Sequence, residues 1–206
     1  MANLSLDGSI LAINGALPAA IGACARGKGI ICSGQNGREV AWSGNSNILV
    51  ASNLIELVNQ VKGTQILTAP EIEIDPITVN YPDFKDIKGQ KIAKRALEIA
   101  AAGSHNLLMY GPPGTGKSML AQRLPGILPQ MLPEEILECT VVSSIAGRLA
   151  NVKLSRARPF RAPHHSCSLA AMFGGGDRRV KHGEISLAHN GVLFLDELPE
   201  FPANVI

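Results

Sequence analysis

The stretch Gly111-Pro112-Pro113-Gly114-Thr115-Gly116-Lys117-Ser118 constrains this chain more than any other. It satisfies G-x-x-x-x-G-K-[ST] at every fixed position. The apolar run Asn106-Leu107-Leu108-Met109-Tyr110 before it reads as a buried strand, and the helix formers Met119 to Leu124 follow it. Strand, loop and helix in that order are the setting such a pattern requires. Glycines let the backbone bend so that successive N–H groups face phosphate oxygens, and the helix N-terminus adds the positive end of its dipole. The pattern thus predicts that Gly111, Pro112, Pro113, Gly114, Thr115 and Gly116 cradle the phosphates of ATP. Lys117 would reach the β- and γ-phosphates, and the Ser118 hydroxyl would ligate Mg²⁺. A Gly/Pro turn ahead of a surface helix is the plainer alternative.

The chain has 206 residues, enough for one or two domains, and a formal net charge of +2 that restricts little by itself. The early apolar stretch Ile10 to Ala25 is broken by Asn14, Gly15 and Pro18, so it reads as neither a membrane span nor a signal peptide. Cys24, Cys32, Cys139 and Cys167 include no C-x-x-C pair. That favours reduced thiols over a disulfide framework or a zinc site, and hence the cytoplasm, with no membrane partner.

Residues 3–13 read as two short strands around the turn Asp7-Gly8-Ser9. Pro18 suits the first turn of a helix that carries Ala19, Ala20, Ile21, Ala23 and Cys24 and ends at Gly27-Lys28-Gly29. Ile30–Cys32 and Ile48–Ala51 read as strands, and Ser52 as the N-cap of a helix over Asn53–Val61 closed by Gly63. Ser5 to Ile10 followed by Gly15-Ala16-Leu17-Pro18 resembles the second half of a Lon-protease-type domain. That resemblance puts Pro18 where the catalytic lysine stands and leaves the partner serine's region ahead of Met1. A Ser–Lys protease needs both groups, so residues 1–67 are expected to be non-proteolytic. Pro70, Pro76 and Pro82 exclude a continuous helix and mark an extended linker over residues 68–82.

The next unit is expected over residues 83–206. A helix over Lys91–Ala102 has Ile92, Ala96 and Ile99 on one face with Ala93, Leu97 and Ala100 beside it, and Gly103 as the residue that ends it. Asp86-Ile87-Lys88-Gly89-Gln90 ahead of it resembles the segment that opens AAA+ modules and touches the adenine, which makes Ile87 and Gly89 candidate nucleotide-binding residues. Pro125-Gly126 and Pro129 are expected to break the helix that follows the loop. Pro133-Glu134-Glu135 starts another, running toward Ser144 and ending near Gly147, although the β-branched pair Val141-Val142 also fits a strand.

From Val141 to Gly183 the single acid Asp177 faces Arg148, Lys153, Arg156, Arg158, Arg161, Arg178, Arg179 and Lys181, while the rest of the chain is correspondingly acidic. Such segregation, centred on a basic insertion over about residues 147–182, suggests an anionic partner such as a nucleic-acid backbone. A solvated basic loop is the alternative. Only Phe160 and Phe173 interleave, so stacking platforms for single strands are not evident. The side chains of adjacent His164 and His165 are expected to diverge, and no second ligand pair lies at zinc spacing, so the pair with Cys167 reads as no metal site. His105, His182 and His189 read as caps or packed residues.

Glu184 to His189 looks helical, closed by Asn190-Gly191. Val192-Leu193-Phe194-Leu195 then reads as a buried parallel strand ending in Asp196-Glu197, the Walker B pattern. A carboxylate at the C-terminal end of such a strand lies where ligands bind. Asp196 is the candidate Mg²⁺ ligand, through water, and Glu197 the candidate base that orients or deprotonates the attacking water, with Lys117 completing the catalytic set.

Lys88-Gly89-Gln90, Gly103 to Leu108, Gly111 to Ser118, Pro159 to Ser166 and Gly183 to Phe201 closely resemble the YifB/ComM family of magnesium-chelatase-like AAA+ ATPases. In these proteins a Lon-like domain precedes an AAA+ module, and the resemblance extends over nearly the whole chain. It implies an α/β fold: a partial Lon-like domain, then the first part of a three-layer α/β/α P-loop module. It further implies ATP and Mg²⁺ as cofactors, a hexameric ring, and DNA as partner, since ComM-type members drive branch migration during natural transformation. The sensor residues, arginine finger and helical lid of the family would lie beyond Ile206. In the family's sheet order, so would both neighbours of the strand Leu107–Tyr110. The chain alone is therefore expected to be a weak nucleotide binder and not a competent ATPase. A hydrolysis-incompetent interaction remnant and a magnesium-chelatase motor subunit are the competing readings.

Overall fold

Asp7 and Gly8 shape the first turn. The Asp7 carboxylate accepts from the Ser9 amide at 3.0 Å and the Ser9 hydroxyl at 2.7 Å, and Gly8 adopts φ 83°. Those bonds, the backbone one foremost, hold the Asp7 carboxyl below its usual range. The computed structural model describes residues 3–68, 70, 81–148, 155–176 and 181–206. The chain forms two units, Met1–Pro76 with Thr140–Ser155, and Ile77–Cys139 with Arg156–Ile206. Both are α/β, and no helix among the described residues is long and apolar enough to cross a membrane.

In the first unit, β1 (Asn3–Leu4) pairs antiparallel with β2 (Ile10–Leu11). Helix α1 (Ala16–Cys24) carries Pro18 in its first turn and buries Ala16, Leu17 and Ala20. Strand β3 (Ile30–Cys32) is joined through α2 (Gly34–Ala41) to its parallel partner β4 (Ile48–Val50). Sequence reasoning missed α2 because Gly34, Asn36 and Gly37 are poor helix formers. Side-chain bonds compensate. Ser33 caps the helix, while Asn36 accepts from Ile13 N at 3.0 Å and donates to Ile13 O at 2.9 Å and to Glu39 Oε1 at 2.7 Å. Around them Ala16, Ala20, Ile30, Cys32, Val40 and Ile48 form the core. Burial pushes the Cys32 thiol up to about 11 and raises Glu39 as well.

The cap of α3 (Leu54–Lys62) is Asn53 rather than Ser52. Asn53 accepts from Glu56 N at 2.9 Å, and the Glu56 carboxylate accepts from Ser52 N at 2.7 Å, a reciprocal arrangement that fixes the first turn one residue later than expected. Gly63, at φ 73°, closes the helix. The linker expected over 68–82 lies outside the described residues at 69 and 71–80.

In the second unit, Asp83 caps a short turn over Phe84–Asp86, and α4 (Lys91–Gly103) follows. Its buried residues are Leu97, Ala100 and Ala101, while Ile92 and Ile99 on the neighbouring face are exposed. The left-handed residue after the helix is Ser104 (φ 53°) rather than Gly103. A Cβ on Gly103 would lie 2.3 Å from the Nε2 of the exposed His105 ring, which would have to swing aside. Helix α5 (Lys117–Ile127) runs through Pro125-Gly126, which were expected to end it. A proline near a helix end forfeits one ladder bond, and Pro125 is buried in exchange.

Helix α6 (Pro133–Ile145) has Glu134 and Glu135 in its first turn and retains Val141-Val142 as helix. Beyond it, β5 (Phe160–Arg161) precedes α7 (Leu169–Phe173), the antiparallel pair β6 (Gly174–Gly175) and β7 (Lys181–His182), the four-residue α8 (Glu184–Leu187), and β8 (Val192–Leu193). Strands β5 and β8 are parallel, with Phe160 opposite Val192 and Arg161 opposite Leu193. Gly191 permits that pairing, since a Cβ on it would meet the Pro159 carbonyl oxygen at 2.1 Å.

The strand expected over Leu107–Tyr110 does not form. Leu108 is 80% exposed, and Tyr110 is fully exposed. A strand exists only with a partner; β8 is bonded to β5, while Leu107 and Met109 line an open cleft whose other wall includes Val192, Leu193 and Phe194. The strand expected over Val192–Leu195 shortens to the two residues of β8, half-buried rather than fully buried.

Candidate nucleotide site

The phosphate-loop residues form a bend between Tyr110 and the start of α5 at Lys117. Gly114 (φ 79°) and Gly116 (φ 83°) take conformations that side chains rarely adopt, which is why the pattern needs glycine there. Within the loop, Thr115 Oγ1 donates to Pro112 O at 2.9 Å. Lys117 Nζ donates to Gly111 O at 2.9 Å and to Pro112 O at 3.0 Å, so its ammonium lies across the mouth of the loop.

Strand β8 aims the chain so that Asp196 meets α5. Ser118 Oγ donates to Asp196 Oδ2 at 2.8 Å, and Glu197 N donates to Asp196 Oδ1 at 3.1 Å. A hydroxyl and a carboxylate brought together in this way are hard oxygen donors of the kind Mg²⁺ takes, so the residues fit that ion. Glu197 itself is left-handed, at φ 54° and ψ 48°, an uncommon state for a non-glycine residue. Its carboxylate is directed to His165, with Nδ1 and Oε2 3.3 Å apart.

Ile87 and Gly89 occupy different settings. Ile87 is buried in a cluster with Leu97 and Leu120, and its carbonyl accepts from Lys94 Nζ, so its side chain serves the core. Gly89 is exposed at φ 70°. Gln90 beside it reaches the phosphate loop, donating to Thr115 O at 3.2 Å.

Four further contacts escaped the sequence reading. His164 and His165, expected to diverge, lie with ring centroids 4.0 Å apart. His189 Nε2 and Asn190 Nδ2 both contact Glu138 Oε2, at 2.9 and 2.7 Å, and they lower the Glu138 carboxyl, Asn190 first. Arg158 is enclosed: Nε donates to Pro129 O at 2.7 Å, Nη1 to Asn190 O at 2.7 Å, and the guanidinium pairs with both Glu135 oxygens at 3.3 and 3.1 Å. Likewise Arg161 grips Glu184 through Nε and, at 2.7 Å, through Nη2. Apart from adjacent His164 and His165, these contacts join residues 23 or more positions apart, so no local spacing signals them. Lys153, Arg178 and Arg179 of the basic insertion lie outside the described residues.

A glycine-bent phosphate loop facing the acidic end of a parallel strand defines a P-loop protein. The family model described as magnesium chelatase, subunit ChlI, matches residues 83–206, and the chain belongs to that magnesium-chelatase-like family. It is 44% identical over 211 residues to competence protein ComM of Haemophilus influenzae, covering 100% of this chain and 41% of ComM. It is 46% identical over 198 residues to YifB of Escherichia coli, covering 96% of this chain and 39% of YifB. The magnesium-chelatase 67 kDa subunit of Chlorobaculum parvum is 33% identical over 119 residues, covering 56% of this chain and 16% of that protein. The chain thus spans about two fifths of the length of ComM and YifB.

Proposed function

We propose that the chain carries the Mg²⁺-ATP site of an AAA+ ATPase of the YifB/ComM type, which in the full-length protein forms a hexameric ring and moves DNA. The observation that carries this reading is the Ser118–Asp196 hydrogen bond of 2.8 Å, which joins the two motifs at their oxygen donors. In this reading Ser118 and Asp196 hold Mg²⁺, the ion supplying charge neutralisation at the phosphate oxygens. The loop amides from Gly111 to Gly116 bind and orient the phosphates. Lys117 exchanges its two loop carbonyls for β- and γ-phosphate oxygens. Glu197 orients the water that attacks the γ-phosphate and takes its proton. ATP hydrolysis is tested by single-turnover phosphate release from the full-length protein, in excess over radiolabelled ATP. Glu197→Gln is expected to slow release by on the order of 100-fold while MgATP still binds. Equal release from both proteins overturns the role given to Glu197.

DNA as partner is supported by the charge segregation of residues 141–183 and by the likeness to a protein named for competence. Arg158 and Arg161 are engaged with Glu135 and Glu184, and backbone contacts are assigned to Arg178 and Arg179. Duplex binding is expected to weaken linearly in log salt. The double substitution Arg178→Ala with Arg179→Ala is expected to reduce the slope by about 2. Binding indifferent to salt, or absent at low salt, refutes the assignment.

A further inference from the structure

We propose that a small cavity in the first unit, floored by Glu39 and Ser144, binds a monovalent cation such as K⁺ or Na⁺. The cavity measures about 50 Å³, and all its lining residues belong to that unit. One water needs about 10–15 Å³ of such space, so an ion of similar size enters with room for a water beside it. Exposed Asn14 and Gln35 stand at the rim, while Asn36, Glu39 and Ser144 are buried at the floor, Ser144 at 1% exposure. Backbone bonds hold the walls. Asn36 accepts from Ile13 N and donates to Ile13 O, which ties α2 to the chain after β2. Ser144 O accepts from Gly15 N and Gly147 N, both at 3.0 Å, which ties the end of α6 to the turn ahead of α1.

The floor is left with oxygen that nothing matches. Both amide hydrogens of Asn36 are committed, one to Ile13 O and one to Glu39 Oε1 at 2.7 Å, and its Oδ1 already accepts from Ile13 N and Ser33 Oγ. Ser144 Oγ is buried and lies beside the Glu39 carboxyl without completing a hydrogen bond to it. Burial raises the Glu39 carboxyl, and Asn36 and then Ser144 offset that only in part. Among the described residues no cationic side chain faces this carboxylate. A buried charge without an opposite charge and a buried hydroxyl without a partner each cost free energy. One cation answers both, because carboxylate and hydroxyl oxygens are hard ligands, and the rim amides of Asn14 and Gln35 supply further oxygens. A single carboxylate balances a single positive charge, which favours a monovalent ion over Mg²⁺ or Ca²⁺. A proton on Glu39 is the competing occupant, and it would leave the unit indifferent to which salt is present.

The whole chain is melted at mildly alkaline pH in KCl, NaCl or N-methylglucamine chloride of equal ionic strength, and sodium binding is read from ²³Na line broadening. No nucleotide is present, so the outcome is independent of the ATPase reading. At several times the dissociation constant, K⁺ or Na⁺ is expected to raise the melting temperature by about 2–4 °C over N-methylglucamine, whose cation is too large for the cavity. Glu39→Gln keeps an oxygen for Asn36 and removes the charge; it is expected to abolish both the difference between salts and the broadening. Ser144→Ala is expected to weaken sodium binding roughly tenfold. Identical melting temperatures in the three salts overturn the proposal in favour of a protonated Glu39. A cation effect that survives Glu39→Gln overturns it in favour of a site elsewhere. Should Glu39→Gln not fold, Ser144→Ala decides, and unchanged sodium affinity in that variant overturns the proposal.

Discussion

Lys117→Ala is expected to abolish measurable nucleotide binding. The Lys117 ammonium is held across the mouth of the phosphate loop by Gly111 O and Pro112 O at 2.9 and 3.0 Å. Both bonds are to neutral carbonyls, so phosphate oxygens compete for the ammonium with the advantage of charge. Hydrogen bonds to charged groups contribute about 1.5–3 kcal/mol each, and every 1.4 kcal/mol is a factor of about ten in affinity. Losing two such bonds to phosphate lowers affinity by on the order of 100-fold or more. Lys117→Arg is not a rescue, because a planar fork cannot fold onto the same two carbonyls as a compact ammonium does. Titration with a fluorescent ATP analogue, alongside circular dichroism to confirm the fold, measures the effect. Unchanged affinity in Lys117→Ala would place the nucleotide elsewhere on the chain.

The second large effect is on stability. Arg158→Ala is expected to lower the melting temperature by on the order of 10 °C. The Arg158 side chain is only 13% exposed, and its guanidinium is the donor to Pro129 O and Asn190 O as well as the partner of Glu135. Its own carbonyl accepts from Tyr81 Oη at 3.2 Å. Truncation strands two carbonyls and a carboxylate at once, and leaving partly buried partners unmatched costs more than the bonds contribute when made. The Glu135 carboxyl lies below its usual range because of the Leu132 amide first and Arg158 second, and the substitution removes the second of these partners. Arg158→Lys should recover only part of the loss, since one ammonium cannot span Pro129, Asn190 and Glu135. A scanning fluorimetry trace indistinguishable from wild type would show that the cage carries no weight.

Much of the local structure was legible because its causes are short-range. Asp7-Gly8, Gly63, Pro133 with its following acids, and the start of α5 at Lys117 each carry their reason within a few residues. What escaped depends on partners far along the chain. Helix α2 exists because Asn36 bonds to Ile13, and no propensity scale sees that contact. The apolar pattern of α4 left its buried face open, and Leu97 is buried because it packs on Ile87 and Leu120, whereas Ile92 and Ile99, as apolar, are exposed. At the site, the motif residues were readable from spacing, and the geometry places Ser118 against Asp196. His165 was not readable: a histidine next to another histidine carries no spacing signal, and only the β5–β8 register brings it to Glu197.

The exposed run at Leu107–Tyr110 has a consequence for how the chain behaves in solution. Leu107, Leu108 and Tyr110 are exposed, and among the described residues no strand pairs with this run, so it presents both an apolar surface and backbone suited to strand addition. Two copies meeting there would gain what neither has alone, in whichever register collision supplies. Chain concentration is therefore a variable as consequential as salt or nucleotide, and a charged residue in place of Leu108 is the natural gatekeeper against that colloidal route.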